Sequence, residues 1–284
     1  MTFIETVLFF LVPAIGAAIN SVAGGGTFLT FPVFIMSGLT PLQANVMSTV
    51  ALWPGTISSG YAYNSTNSLS LWERVRVRAA TSFKPQTLSL KHPPPQPSPS
   101  RGEGAATPLL FLICIIGGAA GSLTLLNTPE QLFSWLVPWL LLVASLIFTF
   151  GKYGVAWLHS RFPASKEHRG IAAFIQLFIA FYGGYFGAGI GILMLAMLQL
   201  MGMRDIHQMN ALKVLLAAFI NAATVLIFAL SGAVIWNLAA IMVAGGVVGG
   251  FVGARLALKI SPAHIRILVS LIGFSMSAYF FMKG

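Results

Sequence analysis

Asn20-Ser21-Val22-Ala23-Gly24-Gly25-Gly26-Thr27, continuing into the apolar run 28–36, decides how this chain is read. Three consecutive glycines interrupt a segment that is otherwise compatible with lipid. Each glycine inside a helix is less favourable than alanine by about 1 kcal/mol. Backbone broken at membrane depth is tolerated only where protein or a water-filled cavity surrounds it. Residues 24–26 therefore mark either a loop outside a membrane or a cavity inside one.

The composition selects the membrane. Mean hydropathy is +0.85, 57% of the 284 residues are hydrophobic and 8% are charged, against about 25% charged in a soluble domain. The formal net charge of +10 does not point to nucleic acid, because the basic residues collect in two loops between apolar segments. That is the positive-inside pattern of a polytopic protein. The lone Cys114 sits in an apolar run and has no disulfide partner in the chain. No Cys/His spacing resembles a metal site, and no cofactor is expected. The apolar N-terminal stretch lacks a basic leader and reads as a first span.

Apolar segments run at about 3–23, 27–38, 43–63, 108–126, 131–150, 170–202, 209–231, 236–256 and 264–282. The stretch 27–38 is too short to span alone and reads as the far half of a first span broken at the glycines. Segment 170–202 is broken in the same way at Gly183-Gly184 and at 187–191. The expected fold is therefore an all-α polytopic membrane protein of eight spans in two four-span repeats, each opened by an interrupted helix. A shift of 165 residues lays Ser21 to Gly26 on Phe186 to Gly191 and Asn45 on Asn210. A shift of 128 lays Gly117, Gly118 and Gly121 on Gly245, Gly246 and Gly249. The difference between the shifts leaves 37 extra residues in the first half, between Tyr63 and Pro108.

The chain divides into 1–63 and 108–150 as the two parts of repeat 1, 151–169 as a linker, and 170–284 as repeat 2. Between the parts of repeat 1 lies 64–107, a Pro-rich insertion around Pro93-Pro94-Pro95 with no apolar periodicity; such composition is expected to stay disordered. Four spans per half put both basic loops, and both termini with them, on the cytoplasmic side.

Intramembrane polar groups are costly and are functional candidates by default. Lys213 stands in an apolar segment one helical turn after Asn210 and close to Asp205. Its bland alternative is snorkelling to the interface. Ser48 falls opposite Lys213 under the shift of 165. Asn20, Asn45 and Asn210 either bond between helices or join the breaks. A half-helix starting at a break attracts anions through its exposed N–H groups, with Thr27 as its expected cap. The candidate substrate site therefore comprises Asn20, Gly24, Gly25, Gly26, Thr27, Asn45, Ser48, Gly187, Gly189, Gly191, Asn210 and Lys213. The glycines at 117, 118, 121, 245, 246, 249, 250 and 253 form small-residue stripes for helix packing. Trp53, Trp135, Trp139 and Trp236 are expected at the membrane interface. There is no acid/base pair, dinucleotide fingerprint or Walker lysine motif, so no enzyme is expected.

Residues 20–29 through Pro32, followed by Ala44-Asn45, resemble the first motif of the TauE/SafE sulfite-exporter family. Asn210-Ala211-Leu212-Lys213, Asn221-Ala222, Phe228, Ser231-Gly232 and Gly253-Ala254-Arg255-Leu256-Ala257 resemble its second half. The resemblance covers about 1–63 and 108–284; the insertion departs from it. It implies a multi-spanning carrier of the bacterial inner membrane for small sulfur anions such as sulfite or organosulfonates. The expected partners are that small anion and the lipid bilayer, with the coupling ion open and no nucleic acid. An anion channel and a non-transporting assembly partner remain as alternatives.

Overall fold

The computed structural model describes residues 2–22, 24–65, 106–161, 169–201, 203, 206–256 and 262–283. Among them the chain forms ten helices and no strand: α1 (Phe3–Val22), α2 (Thr27–Met36), α3 (Pro41–Ser65), α4 (Ala106–Asn127), α5 (Glu130–Arg161), α6 (Arg169–Tyr185), α7 (Ile190–Leu200), α8 (Ile206–Leu230), α9 (Trp236–Leu256) and α10 (Pro262–Lys283). Residues 66–105, most of the insertion, and 162–168 in the linker lie outside the described residues.

The helices follow from a sequence that is apolar on nearly every face, as lipid requires. Six are long and apolar enough to cross a membrane: α1, α9 and most of α4, α5, α8 and α10. The outward faces carry large apolar side chains, among them Phe174, Phe178, Leu226 and Leu271. Pro41 and Pro262 open their helices, where a missing N–H is harmless.

Small residues set the packing. Gly249 and Gly253 of α9 press on the backbone at Ala14 and Ala18 of α1, and Gly250 presses on the Gly55 carbonyl of α3. In the other half, Gly117 and Gly121 of α4 meet the Leu177 and Phe181 carbonyls of α6, and Gly118 meets that of Ile220 on α8. Any Cβ at these positions would collide with backbone, so the stripes are packing surfaces. Ser58 and Ser59 of α3 add hydrogen bonds to the Val247 and Gly250 carbonyls at 2.9 and 3.0 Å.

Two expectations are corrected here. First, α2 does not continue α1; it doubles back along it. The Phe9 and Phe34 rings lie 5.9 Å apart, and Thr30 and Gly26 both lie against Gly16. Positions therefore rise along α1 as they fall along α2. The second break also makes a hairpin: Gly183 of α6 faces the Ile190 side chain of α7, and the Tyr182 hydroxyl donates to the Ala188 carbonyl at 2.9 Å. The residues at 27–38 and 190–200 are thus returning half-helices, not the far halves of interrupted spans.

Second, the helix ends that lead into the two basic loops lie opposite the helix ends that carry Phe3 and Lys283. With both hairpins folded, the ten helices alternate in direction. Helix α9 runs with α1 and α3 through the contacts above. Helix α10 runs against α5, with Thr149 donating to Ser270 at 2.8 Å and Ser277 to the Pro138 carbonyl at 2.9 Å. Helix α10 also runs with α2, since Gly25 faces Val269 and Phe28 faces Gly273. Phe3 and Lys283 therefore share an end with the turns at 37–40, 128–129 and 231–235. The C-terminal ends of α3 and α5, which lead into the two basic loops, share the other.

Among the tryptophans, Trp135, Trp139 and Trp236 are exposed near the end that carries Phe3. Trp53 is not an interface anchor: it is half-buried, and its Nε1 donates to the Ala218 carbonyl at 3.2 Å.

Candidate functional site

The tips of the two hairpins meet over a single turn of α5. A Cβ on Gly25 would stand 3.1 Å from the Phe148 ring, and one on Gly189 would stand 3.4 Å from the Ala144 carbonyl. Four residues of helix separate those contacts by about 6 Å. Phe31 of α2 and Phe186 of the second break lock the hairpins together, edge to face at 5.3 Å.

Glycine is required at both tips by backbone conformation. Gly24 and Gly25 have φ of 78° and 88°, and Gly187 and Gly189 have φ of 78° and 79°. Side-chain-bearing residues rarely adopt that region. Gly26 is the residue before α2 and Gly189 the residue before α7, and neither start has a side-chain cap. Thr27 is therefore the first residue of α2 and not its cap, as the sequence reading had it. Each uncapped start carries about half a positive charge, so positive potential gathers at both hairpin tips.

The remaining candidates separate into three groups. Asn20 is a packing residue, its Nδ2 donating to Thr56 Oγ1 at 3.3 Å. Asn45 and Ser48 are buried on one face of α3. Asn45 Nδ2 donates to the Tyr185 carbonyl at the end of α6 at 2.9 Å, which ties α3 to the second break. Lys213 of α8 is half-buried, and its stem lies against Gly191 in the first turn of α7, where a Cβ would be 3.4 Å from Lys213 Cδ. Gly191 thus makes room for the lysine. The side chain of Asn210, and Asp205 altogether, lie outside the described residues.

The sequence reading missed three contributors. Phe148 and Phe186 pack against the hairpin tips, and Arg266 of α10 is a second cation whose Nε is buried without a hydrogen-bond partner. Arg266 carried a legible signal, since it stands in the apolar run Ile265-Arg266-Ile267-Leu268. The described acidic residues, Glu5 and Glu130, are exposed at the end bearing Phe3. Around the hairpin tips stand two helix starts, Lys213 beside Gly191 and the Asn45 amide on Tyr185, with no described carboxylate.

Two short helices that turn back at glycine breaks inside a multi-pass helical bundle are the kind of arrangement on which transporters are built. The family comparison identifies which kind: the chain belongs to the sulfite exporter TauE/SafE family, whose profile matches residues 103–280. It is similar to a probable membrane transporter protein of Haemophilus influenzae, 23% identical over 276 residues, covering 95% of this chain and 92% of that one. It is also similar to the probable membrane transporter protein YfcA of Escherichia coli K12, 25% identical and covering 96% and 87% of the two chains. A probable membrane transporter protein of a Sinorhizobium species, ORF9, is 25% identical and covers 94% and 89%. No solved structure matches.

Proposed function

We propose that this transporter is a secondary carrier of a small oxyanion, with sulfite or an organosulfonate as the substrate and export as the direction. The observation that carries this reading is the meeting of two uncapped half-helix starts, at Thr27 and Ile190, over one turn of α5 with Lys213 beside the second. Helix starts and a lysine place positive potential where the backbone is opened, which favours an anion. Low dielectric strengthens that attraction, and the hydrogen bonds of the opened backbone offset the desolvation of both charges.

The proposed architecture is a pair of inverted repeats, α1–α5 and α6–α10, each a hairpin with a short returning arm followed by three crossing helices. It replaces the four-span repeat. Corresponding packing supports it: α1 packs chiefly on α9 as α6 does on α4. The corresponding glycine contacts relate 117 to 249, 118 to 250 and 121 to 253, a shift of 132, while their partners are shifted by 163 or 165. Odd numbers of crossings invert one repeat against the other, the arrangement that permits alternating access about a central site. By the positive-inside rule the end with the basic loops faces the cytoplasm, and Phe3 and Lys283 face the opposite side.

Purified protein in liposomes, offered labelled sulfite, sulfate and taurine, tests the carrier reading. Saturable movement of sulfite or the sulfonate is expected. Movement of none of the three, in either direction, would overturn it.

A further inference from the structure

We propose that Asn45, Ser48 and the C-terminal end of α6 form a binding site for a monovalent metal cation, distinct in charge from the anion site around Lys213.

Asn45 is 1% and Ser48 0% exposed, and Asn45 Oδ1 and Ser48 Oγ are both buried without a hydrogen-bond partner. The amide orientation of Asn45 is fixed chemically. Its Nδ2 faces the Tyr185 carbonyl at 2.9 Å, and only the NH₂ side donates. Oδ1 is therefore the atom left over, held beside the last residue of α6 by the same planar amide. It accepts and never donates, so it calls for a donor or a cation.

Ser48 departs from its neighbours in the same helix. Thr49 returns its hydroxyl to the Asn45 carbonyl at 3.0 Å, Thr56 to Leu52 at 3.1 Å, and Ser59 to Gly55 at 2.8 Å. Such back-bonding is the ordinary fate of a helical hydroxyl inside a membrane. Ser48 Oγ takes none of it and stands one turn from Asn45 on the same face of α3.

The nearby helix end supplies the third element. Tyr185 closes α6, and the terminal carbonyls of a helix carry about half a negative charge. A cation is stabilised there as an anion is at a helix start, so each broken hairpin offers one pole to each sign. The donors are neutral oxygens, with no described carboxylate among them. Divalent cations are held by carboxylates; amide, hydroxyl and carbonyl oxygens suit a cation of single charge. Bound next to the hairpin tips, that cation would offset the charge of a transported anion.

The test uses the full chain purified in detergent, with gluconate as the sole anion, so that it reads cation binding whether or not the anion assignment holds. Melting temperature is followed against sodium, potassium and lithium at constant ionic strength, with choline as the balance, and radiolabelled sodium binding is measured directly. One alkali cation is expected to raise the melting temperature saturably over choline. Ser48→Ala and Asn45→Ala should each raise its half-saturating concentration about tenfold or more, while Thr49→Ala leaves it unchanged. Should no alkali cation differ from choline, the two oxygens hold a buried water and the proposal fails. It fails equally if a cation stabilises the protein with the same half-saturation in the wild type, Ser48→Ala and Asn45→Ala.

Discussion

Trp53 Nε1 donates to the Ala218 carbonyl at 3.2 Å across the α3–α8 contact, and the two residues are 165 positions apart, the shift that also relates Asn45 to Asn210. Under the proposed repeat each residue of this bond is the counterpart of the other, which would put the bond on the axis relating the halves. An inverted repeat must make such self-matching contacts where its equivalent helices cross. Trp53→Phe keeps the ring packing and removes the donor. We expect it to cost about 1 kcal/mol in thermal stability and to slow transport by more than that loss alone explains. Equal transport per folded molecule would show that the α3–α8 crossing is passive.

Topology is open to cysteine labelling in a Cys114→Ala background. With the basic end cytoplasmic, an impermeant reagent on intact cells should label Ser37→Cys, in the turn after α2, and should miss Ser98→Cys and Ser165→Cys until the cells are opened. Labelling of position 98 or 165 in intact cells would reverse the orientation.

Much of this arrangement was legible in the residues, and the failures have physical causes. The glycines at 24–26 and 187–191 announced two breaks, because nothing else explains them at membrane depth. They did not say whether the chain runs on or turns back. That is settled by Gly16, which lets Gly26 and Thr30 pack against α1, and a lone glycine twelve positions before Phe28 has no periodic signature. The stripe register failed for a related reason. The pattern Gly117, Gly118, Gly121 fits 245, 246, 249 and 249, 250, 253 equally well, because successive glycine pairs repeat every helical turn. Only the partners on α1, α3, α6 and α8 select the second. Arg266 was passed over because it lies close to a segment end, where snorkelling is the usual explanation.

Stripe substitutions should separate sharply by position. A Cβ on Gly121 would collide with the Phe181 carbonyl, whereas at Gly60 nothing lies within 4 Å. Gly121→Val should cost about 3 kcal/mol or more, through forced backbone separation, and Gly60→Ala should be neutral or mildly stabilising. Thermal unfolding of the purified variants reads both.

Lys213→Gln keeps length and a donor while removing the charge. If the lysine selects the anion, transport should fall about tenfold to a hundredfold, the scale of a hydrogen bond to a charged group, with the protein still inserted and folded. Wild-type rate and affinity in that variant would make Lys213 an interfacial lysine.

The insertion should be dispensable. Deleting residues 85–104 shortens the Pro-rich insertion, and closure entropy changes by only about 0.6 kcal/mol for each doubling of loop length. Retained insertion and transport are expected; loss of either would place a structural element in that segment.

Gly25 is the sharpest probe of the hairpin tips, because two separable penalties meet there. Its φ of 88° costs a side-chain-bearing residue about 1 kcal/mol or more. Its missing Cβ also leaves room for the Phe148 ring at 3.1 Å and for Val269 Cγ1 at 3.0 Å, and filling that room adds the cost of overpacking, about 1–3 kcal/mol. Gly25→Ala should therefore lower the melting temperature and impair transport together. Adding Phe148→Leu relieves the collision with the ring but leaves the backbone strain, so the double variant should regain part of the stability and not all of it. It should also regain less transport than stability, because Phe148 is the turn of α5 against which the first hairpin tip is held. Full recovery of transport in the double variant would mean that the ring merely fills space. No effect from Gly25→Ala alone would mean that the tip relaxes freely and that the conformation at residues 24–26 is not part of the site.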